Sequence, residues 1–123
     1  MSEFRSFSPD ARAKSFVYAF RGLTHVVKTQ HNMWLHLGVS FAVVALGFGL
    51  RVSRADWLWL IAAIALVIFA ELINSAIEFL CNVVSPEHSS DVEKAKDIGA
   101  AAVLVAAVGA VLIGLLVFWP HLF

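Results

Sequence analysis

Cysteine is almost missing from this chain. Cys81 is the only one in 123 residues. That excludes an internal disulfide and a cysteine-based metal cage. Charge of either sign is scarce as well. Lys and Arg number 9, Asp and Glu number 9, and together they make up 15% of the chain, against about 25% in an ordinary soluble domain. The balance removes the bulk basic character that draws nucleic acid, so no nucleic-acid partner is expected. Too few polar residues are present to solvate a disordered chain. No Gly-rich phosphate loop of either the nucleotidase or the protein-kinase type occurs. The five histidines, His25, His31, His36, His88 and His121, show no metal-ligand spacing on one element. The first thirty residues carry charge and lack a short apolar core with a small-residue cleavage site, so no cleavable signal peptide is expected.

What the chain has in abundance is apolar sequence. Hydrophobic residues make up 60% and the mean hydropathy is +0.82. A soluble core of this length cannot bury so much. The composition predicts one small integral membrane domain over residues 1–123. Spans of roughly 20 apolar residues are needed to cross a bilayer. Three runs qualify, at 33–52, 57–84 and 98–119. Only His36 and Arg51 interrupt the first, and the third carries no charge. Short connections predict antiparallel neighbours.

Residues 8–31 have a different pattern. Ser8 is a natural N-cap and Pro9 fits the first helical position. Phe16, Phe20, Leu23 and Val27 recur at helical spacing, and Arg12, Lys14, Arg21 and Lys28 lie outside that stripe. The pattern predicts an amphipathic helix in the membrane interface, although a packed soluble helix would share it. The predicted fold is therefore an all-α membrane protein with a surface helix and three transmembrane helices. In the third span Ala106, Ala110 and Gly114 lie four apart, a spacing that lets helices approach closely in lipid or simply pack within one subunit. Three helices hardly enclose a polar site alone, which favours a homo-oligomer.

Positive charge predicts the orientation. Arg5, Arg12, Lys14, Arg21 and Lys28 precede the first span, and Lys94 and Lys96 lie between the last two. Only Arg51 and Arg54 fall on the other side. The N-terminus is thus expected in the cytoplasm and the C-terminus outside.

Glu71, Asn74 and Glu78 stand in otherwise apolar sequence of the second span. Ionisable groups are expensive in a membrane segment and point to function. Spacings of three and four put all three on one helical face. Counting from Trp57 outside, Glu71 falls past the midplane and Glu78 near the cytoplasmic surface. Lys94, Lys96 and Asp97 open the third span at that same surface, and a short connection brings them towards Glu78 and Asn82. Such a set has the parts for phosphoryl chemistry: a carboxylate to take a hydroxyl proton, another to hold a divalent metal, a lysine to neutralise phosphate oxygens. Lys96 and Asp97 alone would equally read as an ordinary helix-end pair.

The run Glu71-Leu72-Ile73-Asn74-Ser75-Ala76-Ile77-Glu78, followed by Lys94-Ala95-Lys96-Asp97-Ile98-Gly99-Ala100-Ala101-Ala102-Val103-Leu104, closely resembles the prokaryotic diacylglycerol kinase and undecaprenol kinase family. The likeness extends upstream through Arg21-Gly22-Leu23 and covers nearly the whole chain without gaps. It implies a homotrimer in the bacterial cytoplasmic membrane that passes the terminal phosphate of ATP to a lipid hydroxyl with Mg²⁺. The active sites would lie between subunits at the cytoplasmic interface. By resemblance, Glu71 corresponds to the catalytic base and Asn74 to the asparagine beside it. Glu78 corresponds to a metal-binding carboxylate, and Lys96 and Asp97 to a nucleotide-contacting pair. Tyr18 and Glu87 match positions near the nucleotide. Two positions depart from the family pattern. Gln30 falls where a second metal-binding glutamate is usual, leaving an uncharged amide oxygen as ligand. Asn82 falls where an aspartate is usual.

Two other functions fit parts of the pattern. A proton- or ion-coupled transporter also needs intramembrane carboxylates, but its polar path must cross the whole bilayer, and the first span offers only His36 and the third nothing. A non-catalytic membrane partner would be a family member that lost its metal site through Gln30.

Overall fold

The computed structural model describes residues 7–123, and Arg5 lies outside them. Four helices follow one another: α1 (Pro9–Thr29), α2 (His31–Leu50), α3 (Arg54–Val84) and α4 (Ser90–Leu122). Three of them, α2, α3 and α4, are long and apolar enough to cross a membrane. The fold is an all-α membrane architecture with one preceding amphipathic helix.

Each helix boundary has a local cause. Ser8 caps α1, its hydroxyl accepting from the Ala11 amide at 3.4 Å, with Pro9 in the first turn. Asp10 near the start and Lys28 near the end suit the helix dipole. Gln30 is the extended residue between α1 and α2. The Trp34 indole N–H donates to the Val27 carbonyl at 2.7 Å and pins that corner. α2 ends on Arg51, which takes the left-handed conformation (φ 53°) so that its amide returns to the Gly47 and Phe48 carbonyls.

The apolar run predicts a second span from Trp57, but α3 begins at Arg54. Ser53 and Asp56 form a capping box: the Asp56 amide donates to the Ser53 hydroxyl at 3.1 Å and the Ser53 amide to the Asp56 carboxylate at 3.4 Å. The third apolar run begins at Ile98, yet α4 starts at Ser90. Lys94 and Lys96 therefore stand on the helix, not in a loop, and the connection shrinks to residues 85–89. Asp91 and Glu93 in the first turn favour that early start through the helix dipole. Pro120 is accommodated in the last turn of α4.

Packing is uneven. α4 lies mainly along α3, α2 rests on α3 to a lesser extent, and α1 touches both only lightly. The apolar core sits where α2 ends and α4 finishes. Val52, Leu60, Val117 and Phe118 are buried there, surrounded by Val43, Leu50, Trp57 and Ile113. Gly47 belongs to this region for a steric reason: a Cβ on it would stand 2.7 Å from the Trp57 ring. Elsewhere the surface is apolar. Phe41, Leu104, Val105 and Leu116 are all exposed, as expected where the solvent is hydrocarbon. The α1 stripe of Phe16, Phe20 and Leu23 is exposed in the same way, an unpartnered apolar face suited to the interface. Of the small-residue row on α4, Ala106 is buried and Ala110 and Gly114 are half-buried. A Cβ on Gly114 would meet nothing within 4 Å, so no close approach among the described residues uses it.

Candidate functional site

α2 has 20 residues and so covers about 30 Å, the thickness of the hydrocarbon core. With Arg54 near one end of that layer, Glu71 stands roughly 26 Å along α3 and Glu78 roughly 36 Å. Glu71 is thus just inside the apolar layer, level with the first turns of α2. Glu78 is beyond its edge.

Glu71 is 1% exposed, and Asn74 and Ser75 are each 5% exposed. All three face inward from α3. Glu71 Oε2, Asn74 Oδ1 and Ser75 Oγ are buried without a hydrogen-bond partner among the described residues. Buried polar atoms are normally satisfied, so three orphans within five residues need an explanation. Opposite Glu71, His36 on α2 brings Nε2 to 3.4 Å from Oε2. Asn74 faces Gly99 on α4, where a Cβ would stand 2.5 Å from Oδ1. The Glu-Leu-Ile-Asn stripe therefore meets α2 on one side and the glycine of the Lys-Ala-Lys-Asp-Ile-Gly run on the other.

The second polar group lies nearer the connection between α3 and α4. The Lys96 ammonium donates to Asn82 Oδ1 at 2.6 Å, joining the two helices. Its partner is an amide, so the lysine's positive charge is not cancelled there. Glu78 is half-buried and Asp97 exposed. No ion pair joins Glu78 to Lys94 or Lys96 among the described residues. Glu87 is exposed in the connection, where its backbone carbonyl accepts from the Ser85 hydroxyl. His88 is exposed too, 3.5 Å from Glu93.

A third region is an open cleft of about 860 Å³ between α1 and α3. Tyr18, Arg21, His25 and Gln30 line it from one side, Ser75 and Phe79 from the other. The Arg21 guanidinium lies 5.5 Å from the centre of the Tyr18 ring, and His25 meets Phe79 edge-on at 5.8 Å. Glu78 and Lys96 do not line this cleft. Within one chain, the residues singled out from the sequence thus fall into three neighbouring groups: Glu71 and Asn74 in the helix core, Lys96 with Asn82 at the helix ends, and Tyr18 with Gln30 on the cleft.

No group of three or more His, Cys, Asp or Glu side chains able to hold a metal is present among the described residues. The oxygen donors singled out from the sequence are the carboxylate of Glu78 and the amide of Gln30, and only Gln30 lines the cleft. That set cannot cage a cation alone, but it fits a hydrated Mg²⁺ shared with nucleotide phosphates, the usual way this ion binds.

The sequence profile of the family described as prokaryotic diacylglycerol kinase matches residues 17–118. The chain belongs to this family. Its relatives include an undecaprenol kinase of Bacillus subtilis, 37% identical over 109 residues that cover 89% of each chain. A diacylglycerol kinase of Escherichia coli is 31% identical over 114 aligned positions, covering 81% of this chain and 93% of the relative. In this family member, His36 is the site neighbour that sequence reasoning missed. The available signal was that it is the one ionisable residue inside an otherwise apolar stretch of α2.

Proposed function

We propose that this protein is an ATP-dependent lipid kinase that phosphorylates a membrane lipid hydroxyl. Diacylglycerol and undecaprenol, the alcohols in its relatives' names, are the two substrates to test. The observation that carries the reading is Glu71: a fully buried carboxylate on a helix long and apolar enough to cross a membrane, with an oxygen that has no hydrogen-bond partner among the described residues.

The chemistry follows from depth. A base just inside the hydrocarbon edge is reached by a hydroxyl anchored in the membrane more readily than by water. Excluding water also protects the nucleotide from wasteful hydrolysis. In the reaction, Glu71 takes the proton of the lipid O–H as that oxygen bonds to the γ-phosphorus. The bond from γ-phosphorus to the bridging oxygen breaks, and its electron pair leaves with ADP. Phosphoryl transfer demands mainly alignment and charge neutralisation. Lys96, which donates to a neutral amide, keeps its charge for phosphate oxygens, with Asp97 beside it. Asn74 supports the reacting hydroxyl next to Glu71. Glu78, with Gln30, would hold Mg²⁺, which when bound would neutralise phosphate charge. Tyr18 and Glu87 border the nucleotide.

The three groups meet when subunits assemble. A homotrimer, with each site completed by a neighbour, accounts for the orphaned polar atoms and for the lack of an ion pair between Glu78 and Lys96 among the described residues. The N-terminus and the connection between α3 and α4 face the cytoplasm, where ATP is, and the C-terminus lies outside. Seven of the nine Lys and Arg residues support that orientation.

The test is phosphate transfer from labelled ATP by purified protein in lipid, with diacylglycerol and undecaprenol compared side by side. Transfer to at least one is expected. Inertness towards both, together with ion flux in ATP-free sealed vesicles, would replace this reading with a transporter. Thermal stability unchanged by ATP and Mg²⁺ would point instead to a non-catalytic partner.

A further inference from the structure

The kinase chemistry leaves one half-buried titratable side chain beside Glu71 unused. His36 lies in the second turn of α2, where the nearest other ionisable residue on that helix is His31 at its very start. Its imidazole is 14% exposed, its Nε2 is 3.4 Å from Glu71 Oε2, and Glu71 has no other ion-pair partner among the described residues. An isolated carboxylate in hydrocarbon is expensive, and removing its only partner leaves the charge uncompensated. The distance is slightly long for a hydrogen bond. Such contacts between catalytic groups are often loose without substrate and tighten in the reacting complex.

We propose that His36 is the positioning residue for Glu71, donating from Nε2–H to Oε2 so that the other carboxylate oxygen, Oε1, is turned to the lipid hydroxyl. The contact joins α2 to α3 and fixes the rotamer of the base. It divides the two oxygens between two tasks: Oε2 is held by the protein and Oε1 receives the proton. The imidazole keeps its own proton throughout, so the balance of the transfer is unchanged: the lipid O–H proton ends on Glu71, and the γ-phosphoryl group passes from ATP to the lipid oxygen, leaving ADP. His36 touches neither lipid nor nucleotide, and its effect is exerted through Glu71.

The inference rests on the lipid-kinase reading of Glu71, and the experiment separates the two. Lipid phosphorylation is measured in proteoliposomes for wild type, His36→Leu, His36→Gln, Glu71→Asp and the double variants of Glu71→Asp with each His36 substitution. His36→Leu should lower kcat about a hundredfold, the lower range for loss of a positioned acid–base group, with the KM for ATP within about twofold of wild type. His36→Gln retains an N–H donor and should recover at least about tenfold of that loss. Glu71→Asp withdraws the carboxylate by one methylene from His36. In that background, either His36 substitution should cost far less than in wild type, the non-additivity of residues acting as a unit. A structural role would move thermal stability without that rescue or that coupling. Should His36→Leu fail to assemble, His36→Gln alone, with and without Glu71→Asp, decides by the same non-additivity. An active wild type in which His36→Leu keeps kcat within about twofold, or in which the losses simply multiply, overturns the inference and leaves the kinase reading intact. A wild type inert towards both lipids overturns both.

Discussion

The two ends of the α3–α4 pair are built on opposite principles. Where α3 begins and α4 finishes, Val52, Leu60, Val117 and Phe118 fill an apolar core. Even the polar groups there find partners within the chain. His121 places Nδ1 3.1 Å from the Val117 carbonyl and Nε2 4.0 Å from the Asp56 carboxylate. Towards the other end, Glu71, Asn74 and Ser75 are just as buried, and each keeps a polar atom without a hydrogen-bond partner among the described residues. One end is complete as a folded chain. The other is left open for a ligand or a neighbouring subunit. A small protein that must both span a bilayer and do chemistry has divided these tasks along the length of its helices.

The sharpest way to break the comparison is Glu71→Gln. It keeps shape and burial while removing the proton acceptor, so turnover should fall by about 10²–10⁴-fold. The assembled protein and its stabilisation by ATP should persist. Wild-type turnover in this variant would remove Glu71 from the mechanism. Next comes Gly99→Ala. The new methyl would stand 2.5 Å from Asn74 Oδ1, so the amide must move. Misplacement on that scale should lower kcat about ten- to a hundredfold while the protein still inserts and assembles. Activity equal to wild type would mean that Asn74 has no exact placement to lose.

Leu60→Ala sharpens the contrast from the complete end. Leu60 is 1% exposed, and truncating such a residue removes about 2–5 kcal/mol of stability. Unfolding in a denaturing detergent should show that loss, while kcat measured well below the melting temperature stays near wild type. Equal damage to kcat would mean that the two ends are not separable. The smallest effect is expected at Gln30. Gln30→Glu adds an anionic oxygen for Mg²⁺ and should lower the Mg²⁺ concentration for half-maximal rate severalfold; Gln30→Ala should raise it. Superimposable rate curves against free Mg²⁺ would place residue 30 outside the metal site.

The same division explains what could be read from the sequence. The Glu71, Asn74 and Glu78 stripe is a property of one helix, and spacing alone puts the three on one face. The Ser8-Pro9 start of α1 is equally local. The pairing of His36 with Glu71 is different, because it depends on how far α2 is slid along α3, and nothing in either helix states that register. The same holds for Gly99 against Asn74. The early starts of α3 and α4 were written locally, in the Ser53–Asp56 capping box and in Asp91 and Glu93, but apolar runs conceal helix ends that are polar. The proposed completion of the site by a neighbouring subunit lies beyond any one chain.

The unequal lengths of the helices carry one more consequence. α2 spans 20 residues while α3 and α4 run to 31 and 33. The shortest helix is a gauge of bilayer thickness, and the longer pair is a post rising through it. Because His36 and Glu71 sit just inside the gauge's end, α2 marks the height of the Glu71 oxygen against the lipid surface. A membrane a few ångströms thicker drowns that oxygen in acyl chains, and a thinner one brings it up among the headgroups and water. On the proposed role of Glu71, bilayer thickness thereby tunes the base to the depth at which a lipid carries its alcohol.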